Sequence, residues 1–280
     1  MNCPANFFTA FLLFLSVNIF AGTCPELSGE YVIGKSRSAD FSTIQEASDA
    51  LMCGGISGAV IFKIENGTYN EKISLSNISG TSAINTIAFE SQSGEKSDVI
   101  VSSNNSDAVI TLNGTSYVSF ENITVDRKKA AYGNCIRTEG KAGHLLFNNV
   151  IFDGVEAAVT GASSAVIYMD ASAAKSSIVI TDCEINNGSF GLMKSGMNTE
   201  SRDSKTIING NLFFNQNEGG ITLSNEDAPE ISNNVISSTS GFEKFIAVNM
   251  DNAANQIVVT KNLVNAPNAA IGLSLTNCNA

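Results

Sequence analysis

Residues 118–125 read VSFENITV, and the same eight-residue pattern returns without gaps as LLFNNVIF (145–152), IVITDCEI (178–185), TIINGNLF (206–213), PEISNNVI (229–236) and IVVTKNLV (257–264). Each block carries an apolar or small residue at its first and third positions and an apolar residue at its eighth. The third-position residues Phe120, Phe147, Ile180, Ile208, Ile231 and Val259 lie 27, 33, 28, 23 and 28 residues apart, so each block marks one turn of a repeating chain.

Between the blocks runs a second alternating series: VITL (109–112), CIRT (135–138), VIYM (166–169), GITL (220–223), IAVNM (246–250) and IGLSL (271–275). Alternation at period two means half-buried strands. The fifth block position, occupied by Asn122, Asn149, Asp182, Gly210, Asn233 and Lys261, reads as a corner, because Asn, Asp and Gly tolerate left-handed backbone angles. Two or three strands per period with no helical pattern between them predict an all-β parallel β-helix solenoid. A propeller would need four strands and a longer period. Asn122, Asn149 and Asp182 would stack at one corner as a structural ladder, since an amide side chain both donates and accepts.

A solenoid needs its first turn covered, or apolar surface and strand edges face water. Ser42 with Gln45 three residues on fits a capping box, Ile44, Ala47 and Leu51 share one helical face, and Gly54-Gly55 stop it. A capping helix over about 42–53 is therefore expected. No counterpart follows IGLSL, which is succeeded only by TNCNA, so the chain reads as the front part of a longer protein, with a solenoid over 23–280.

The apolar run from Phe7 to Phe20 followed by Ala21 and Gly22 has the form of a secretory signal peptide, 1–22. Secretion or cell-surface display is expected, with no membrane insertion once the signal is removed. Cys24 and Cys53 are then placed to bridge the N-terminal cap in an oxidising compartment, while Cys135 and Cys183 read as small buried residues. A net charge of −11 without a Lys/Arg run argues against nucleic acid or an anionic membrane as partner, and disfavours acidic polysaccharides. One His and no CxxC spacing argue against zinc, and no metal is assigned.

DFSTIQEASDAL (40–51) with AVIFKIENGTYNEKISL (59–75) resembles the opening of pectin methylesterases and of the wider pectate-lyase-like, right-handed parallel β-helix superfamily. The continuation GTSAINTIAFESQSGEKSDVIV (80–101) and AVITLNGTSYVSFENITV (108–125) is more similar to very large exported surface proteins of Bacteroidetes-type bacteria, in which such a solenoid precedes adhesin-like repeats. The resemblance implies a right-handed solenoid. Pectin methylesterases carry their chemistry in strings similar to GTVDFIFG and LGRPW; neither occurs here, and the chain has no Trp. Lyases on this scaffold use Arg or Lys to take a C5 proton, with calcium held by carboxylates.

One constellation fits such chemistry. Asp126, Arg127 and Lys128 follow the strand ending at Val125, and Asp153 falls in register with Asp126 one turn later, with Glu156 beyond it. These four, Asp126, Arg127, Lys128 and Asp153, are the catalytic candidates of a polysaccharide lyase or carbohydrate esterase, and Ca2+ enters only under that alternative. The competing reading makes them solvated loop charges. His144 reads as a strand-edge residue, and Glu200, Arg202, Asp203 and Lys205 as one solubilising loop. The function expected is a monomeric, exported display or binding module, non-catalytic, engaging extracellular polysaccharide or another surface polymer along a strand face.

Overall fold

The computed structural model describes residues 24–170, 177–239, 244–266 and 270–279, so the expected signal peptide lies outside the described residues. Three parallel sheets of nine, eight and eight strands wind around one apolar interior. Each coil contributes one strand to each sheet in turn. Val118–Glu121, Thr124–Asp126 and Asn134–Glu139 make one coil, and Leu145–Asn148, Ile151–Asp153 and Ile167–Met169 the next. Eight such coils stack, and Leu27–Ile33 adds a ninth strand to the first sheet.

The expected column of third-position residues is the spine of the core. Phe62, Phe89, Phe120, Phe147, Ile180, Ile208, Ile231 and Val259 pair in unbroken register down the first sheet. The four phenylalanines stack with centroids 4.8, 5.2 and 6.0 Å apart, close to the strand spacing that sets their separation.

Every fifth-position residue is left-handed: φ is 53° at Asn122, 52° at Asn149, 54° at Asp182, 73° at Gly210, 57° at Asn233 and 55° at Lys261. Asn149 Nδ2 donates to Asn122 Oδ1 at 2.8 Å across adjacent coils. A second, interior ladder stands one residue later. Asn211 and Asn234 are fully enclosed, and with Asn262 they bridge three coils. The Oδ1 of Asn211, Asn234 and Asn262 accepts from the backbone N–H of Cys183, Asn211 and Asn234, and each Nδ2 donates to the carbonyl of Ile180, Ile208 and Ile231. The corner residue points out and its successor points in, so the row that satisfies the buried turn is the sixth position.

Helix α1 spans Ile44–Gly54 and lays Ile44, Ala47 and Leu51 on the first coil. Its N-cap is Thr43, whose hydroxyl accepts from Glu46 N–H, rather than Ser42; Glu46 in turn accepts from Ser42 N–H. Gln45 instead ties the helix to the solenoid, accepting from Ser74 N–H at 2.8 Å. Glu71, directly after the strand Gly67–Asn70, where a turn is read from the sequence, receives the N–H groups of Ile44 and Gln45 at 3.2 and 2.9 Å. Glu71 therefore supplies the anion that the helix N-terminus needs. A Cys24–Cys53 disulfide fastens the other end of the helix to the chain's beginning. Cys135 and Cys183 are buried and free; burial drives both thiols up, Cys183 to about 12, so neither is a reactive thiolate at neutral pH.

The far end differs. Leu273 and Leu275 of the last described coil are 46 and 51% exposed, whereas their partners one coil back in the third sheet, Val248 and Met250, are buried.

Candidate functional site

The outer face of the second sheet brings together three of the four catalytic candidates, Asp126, Lys128 and Asp153. Asp153 and Asp126 pair directly in register, and the same outward row runs from Asn70 through Ser102 to Asp126, Asp153, Asn186 and Phe214. At one strand spacing per coil the six positions extend about 24 Å. Side chains alternate on a strand, so this row is outward because Val125, Phe152 and Ile185 beside it are wholly inside.

The two carboxylates have different surroundings. Asp153 is 8% exposed and accepts from Lys128 Nζ at 2.8 Å and from Asn186 Nδ2 at 2.9 Å. Asp126 Oδ1 accepts from the backbone N–H of Lys128 at 2.9 Å, which turns the chain sharply out of the strand. The hydrogen bond to Asp153 raises the Lys128 pKa above its ordinary value against a smaller lowering by burial. That direction holds the ammonium charged, the opposite of what a proton-abstracting lysine needs.

Arg127 does not share this face. It is 1% exposed and folds inward, where Nε and Nη2 donate to the Tyr132 carbonyl and Nη1 and Nη2 to the carbonyls of Ser103 and Ser106. Gly133, at φ 114°, lies against the guanidinium so closely that an added Cβ would stand 2.2 Å from Nη2. Arg127 is thus a clasp between two loops, and burial lowers its pKa from the usual value. Glu156 N–H donates to the Lys128 carbonyl at 3.3 Å.

Beside Asp126 opens a cleft of about 270 Å³ lined by Thr68, Asn70, Ile100, Ser102, Asn104 and Lys129 as well. On the same sheet the loop bearing Lys96 reaches across coils, its carbonyl accepting from Thr124 Oγ1 and its ammonium ion-pairing with Glu184 at 2.7 Å. Further along, the sheet turns apolar: Phe214, Leu212, Val235 and Leu263 are 45, 37, 37 and 62% exposed. The face is therefore amphipathic lengthwise, with carboxylates, amides and ammonium groups leading to an aromatic ring. Among the described residues no group of three or more His, Cys, Asp or Glu side chains is placed to hold a metal ion, so Asp126 and Asp153 form a pair and not a cage.

The remaining singled-out residues lie elsewhere. His144 adopts φ 50°, stacks on Tyr117 at 4.5 Å and lies 2.9 Å through Nδ1 from Ser177 Oγ, at a corner entering the first sheet. Lys205 reaches Glu230 at 3.1 Å on the surface, and Arg202 donates to the Asn252 carbonyl. Asp203 departs from the solvated-loop expectation: it is 1% exposed and ion-paired inside the solenoid. Sequence reasoning missed Asn186 and Phe214, although the register that aligns Asp126 with Asp153 would have placed both on the same row.

Residues 108–280 match the family model described as a right-handed β-helix region. No curated protein sequence is matched by the chain. Among solved structures, the pectin methylesterase of Aspergillus niger in its deglycosylated form is similar at 17% identity, with TM-score 0.54, over 92% of this chain and 88% of that one. The same enzyme retaining an N-acetylglucosamine stub gives 18% identity and 0.51, over 91% and 86%. At such identity the likeness is one of fold.

Proposed function

The chain belongs to the right-handed β-helix family, and on that footing we propose that it is an exported surface or extracellular module that binds a polysaccharide along the outer face of the second sheet, without cleaving it. One observation carries the reading: the outward row in which Asn70, Ser102, Asp126, Asp153 and Asn186 lead in register to the exposed ring of Phe214. A glycan offers hydroxyl groups for carboxylates and amides and an apolar ring face for an aromatic, repeated along its length. The net charge of −11 favours neutral chains over polyuronates. The signal-like first 22 residues and the Cys24–Cys53 bridge support export.

A carbohydrate esterase or lyase is the second reading, favoured by the paired Asp126 and Asp153 beside Lys128. Against it stand the raised Lys128 pKa and the inward Arg127, which leave that pair without a base of lowered pKa or a facing guanidinium. Incubation of the full chain with neutral glucans, mannans and xylans, and with pectin and alginate plus calcium, separates the two. Retention on a neutral polysaccharide with neither methanol release nor new unsaturated ends is expected. Turnover of any of these polymers would favour the enzyme, and absence of all binding would leave a spacer.

A further inference from the structure

Inward columns of the third sheet are mostly apolar, and among the described residues one inward side chain carries a charge. Met169, Lys194 and Leu223 stand in register on neighbouring strands, and the Lys194 side chain is 0% exposed. A lone ammonium there would cost several kcal/mol. Two carboxylates meet it: Asp203 Oδ2 lies 2.6 Å from Nζ, and Glu226 Oε1 bonds the same nitrogen. Their side chains are 2 and 0% exposed.

The backbone fixes this meeting. Asp203 and Glu226 form a parallel bridge between adjacent coils, with Asp203 N–H donating to the Asn225 carbonyl and Asp227 N–H to the Asp203 carbonyl. Thr206 Oγ1 donates to Glu226 Oε2 at 2.7 Å and sets the rotation of that carboxyl group. A primary amine, a carboxyl carbon acceptor and a second carboxyl group touching the amine are thus held together in a closed site.

We propose that Lys194 and Asp203 condense in the folded chain to an intramolecular amide, with Glu226 as the group that moves the protons. Glu226 takes a proton from the Lys194 ammonium and passes it to the Asp203 carboxyl. The freed Nζ attacks Asp203 Cγ, the C–N bond forms, and one Cγ–O bond breaks. The departing hydroxyl takes the second proton from Nζ through Glu226 and leaves as water. An ammonium and a carboxylate become a neutral amide plus one water, so charge and atoms balance and no oxidant, metal or nucleotide is needed.

Two effects drive the step. Fixed geometry replaces a bimolecular encounter, and the product removes two charges from a site that desolvates them. Burial raises the Glu226 pKa, which suits it to holding a proton between transfers. The bond closes a ring over residues 195–202, whose Met197, Thr199 and Glu200 are exposed, and so fastens a protruding loop to the core.

Intact-mass measurement of the full chain, denatured and reduced, tests this. The chain is expected one water lighter than its sequence, with digestion releasing a branched peptide that joins Lys194 to Asp203. Asp203→Ala and Glu226→Gln are each expected at full mass. Should Glu226→Gln fail to fold, Glu226→Asp, which keeps the carboxyl but shortens its reach, is expected to slow the loss of water after refolding. A wild-type chain at full mass with no branched peptide overturns the proposal. A branch at Glu226 overturns the choice of Asp203, and a Glu226 variant that cross-links as fast as wild type overturns the role of Glu226.

Discussion

Asn234 shows how much one interior side chain carries. It accepts from Asn211 and donates to the Ile208 carbonyl and to Asn262, so truncation leaves several enclosed groups unpaired at once. Asn234→Ala is expected to cost about 3 kcal/mol on the usual penalty for unsatisfied buried groups, read as a lower guanidinium midpoint. An unchanged midpoint would mean that water replaces the amide. On the outer face, Lys128 owes its raised pKa first to the hydrogen bond that it donates to Asp153. The folded value lies above the ordinary 10.5, so the pair's small stabilisation is present below that pH and is lost as pH rises through the folded value. Asp153→Asn is expected to return Lys128 toward 10.5, followed by the NMR shift of its Cε through a pH titration.

These residues also mark where reading the chain works. Asp126 and Asp153 could be aligned because strand registers repeat from block to block. Arg127 could not be placed, because a residue one step past a strand has no period to say whether it turns in or out. Asp203 looked solvated because it lies in the loop between Phe190–Ser195 and Thr206–Asn209, where no period says which way a residue turns, whereas Lys194 sits within a period-two strand and its inward phase was there to be counted. The corner ladder was assigned to the residue with the turn-forming angle; the enclosed amides belong to its successor, since a left-handed residue reverses the side from which the chain continues.

At the scale of the element, helix α1 depends on a residue far from it in sequence. Ser42 with Gln45 fits the capping-box spacing, yet the helix is capped by Thr43 one residue on, whose hydroxyl accepts from Glu46 N–H. No local pattern reveals that Glu71 caps the first turn across the solenoid's end. Glu71→Ala is expected to remove about 1–2 kcal/mol of cap stability and to increase exchange of the Ile44 and Gln45 amides while leaving the middle coils unaffected. Equal protection of these amides in both proteins would show the carboxylate to be dispensable. Within AVIFKIENGTYNEKISL, Glu71 thus has an architectural role, and the resemblance that this stretch carries is one of fold.

Across the whole molecule, stability is a sum of neighbouring coil contacts. The first coil is covered by a helix and a disulfide, the middle coils by each other, and the last described coil leaves Leu273 and Leu275 open. Hydrogen exchange is therefore expected to be slowest in the strands around Phe120 and Phe147 and fastest in Ile271–Thr276, while uniform protection would contradict a coil-by-coil account. No helix of the described residues is long and apolar enough to cross a membrane.

The same stacking turns single outward residues into a continuous track along the second sheet, the surface proposed to hold the polysaccharide. Its most direct test is binding of a retained neutral polysaccharide to wild type, Phe214→Ala, Asp126→Asn and Thr222→Ala, the last altering an outward residue of the third sheet. Loss of an aromatic contact is worth about 1 kcal/mol, so Phe214→Ala should bind roughly fivefold more weakly, Asp126→Asn should also weaken, and Thr222→Ala should match wild type. Equal affinity in all four proteins, or a loss confined to Thr222→Ala, would contradict the assignment of the second sheet as the binding face.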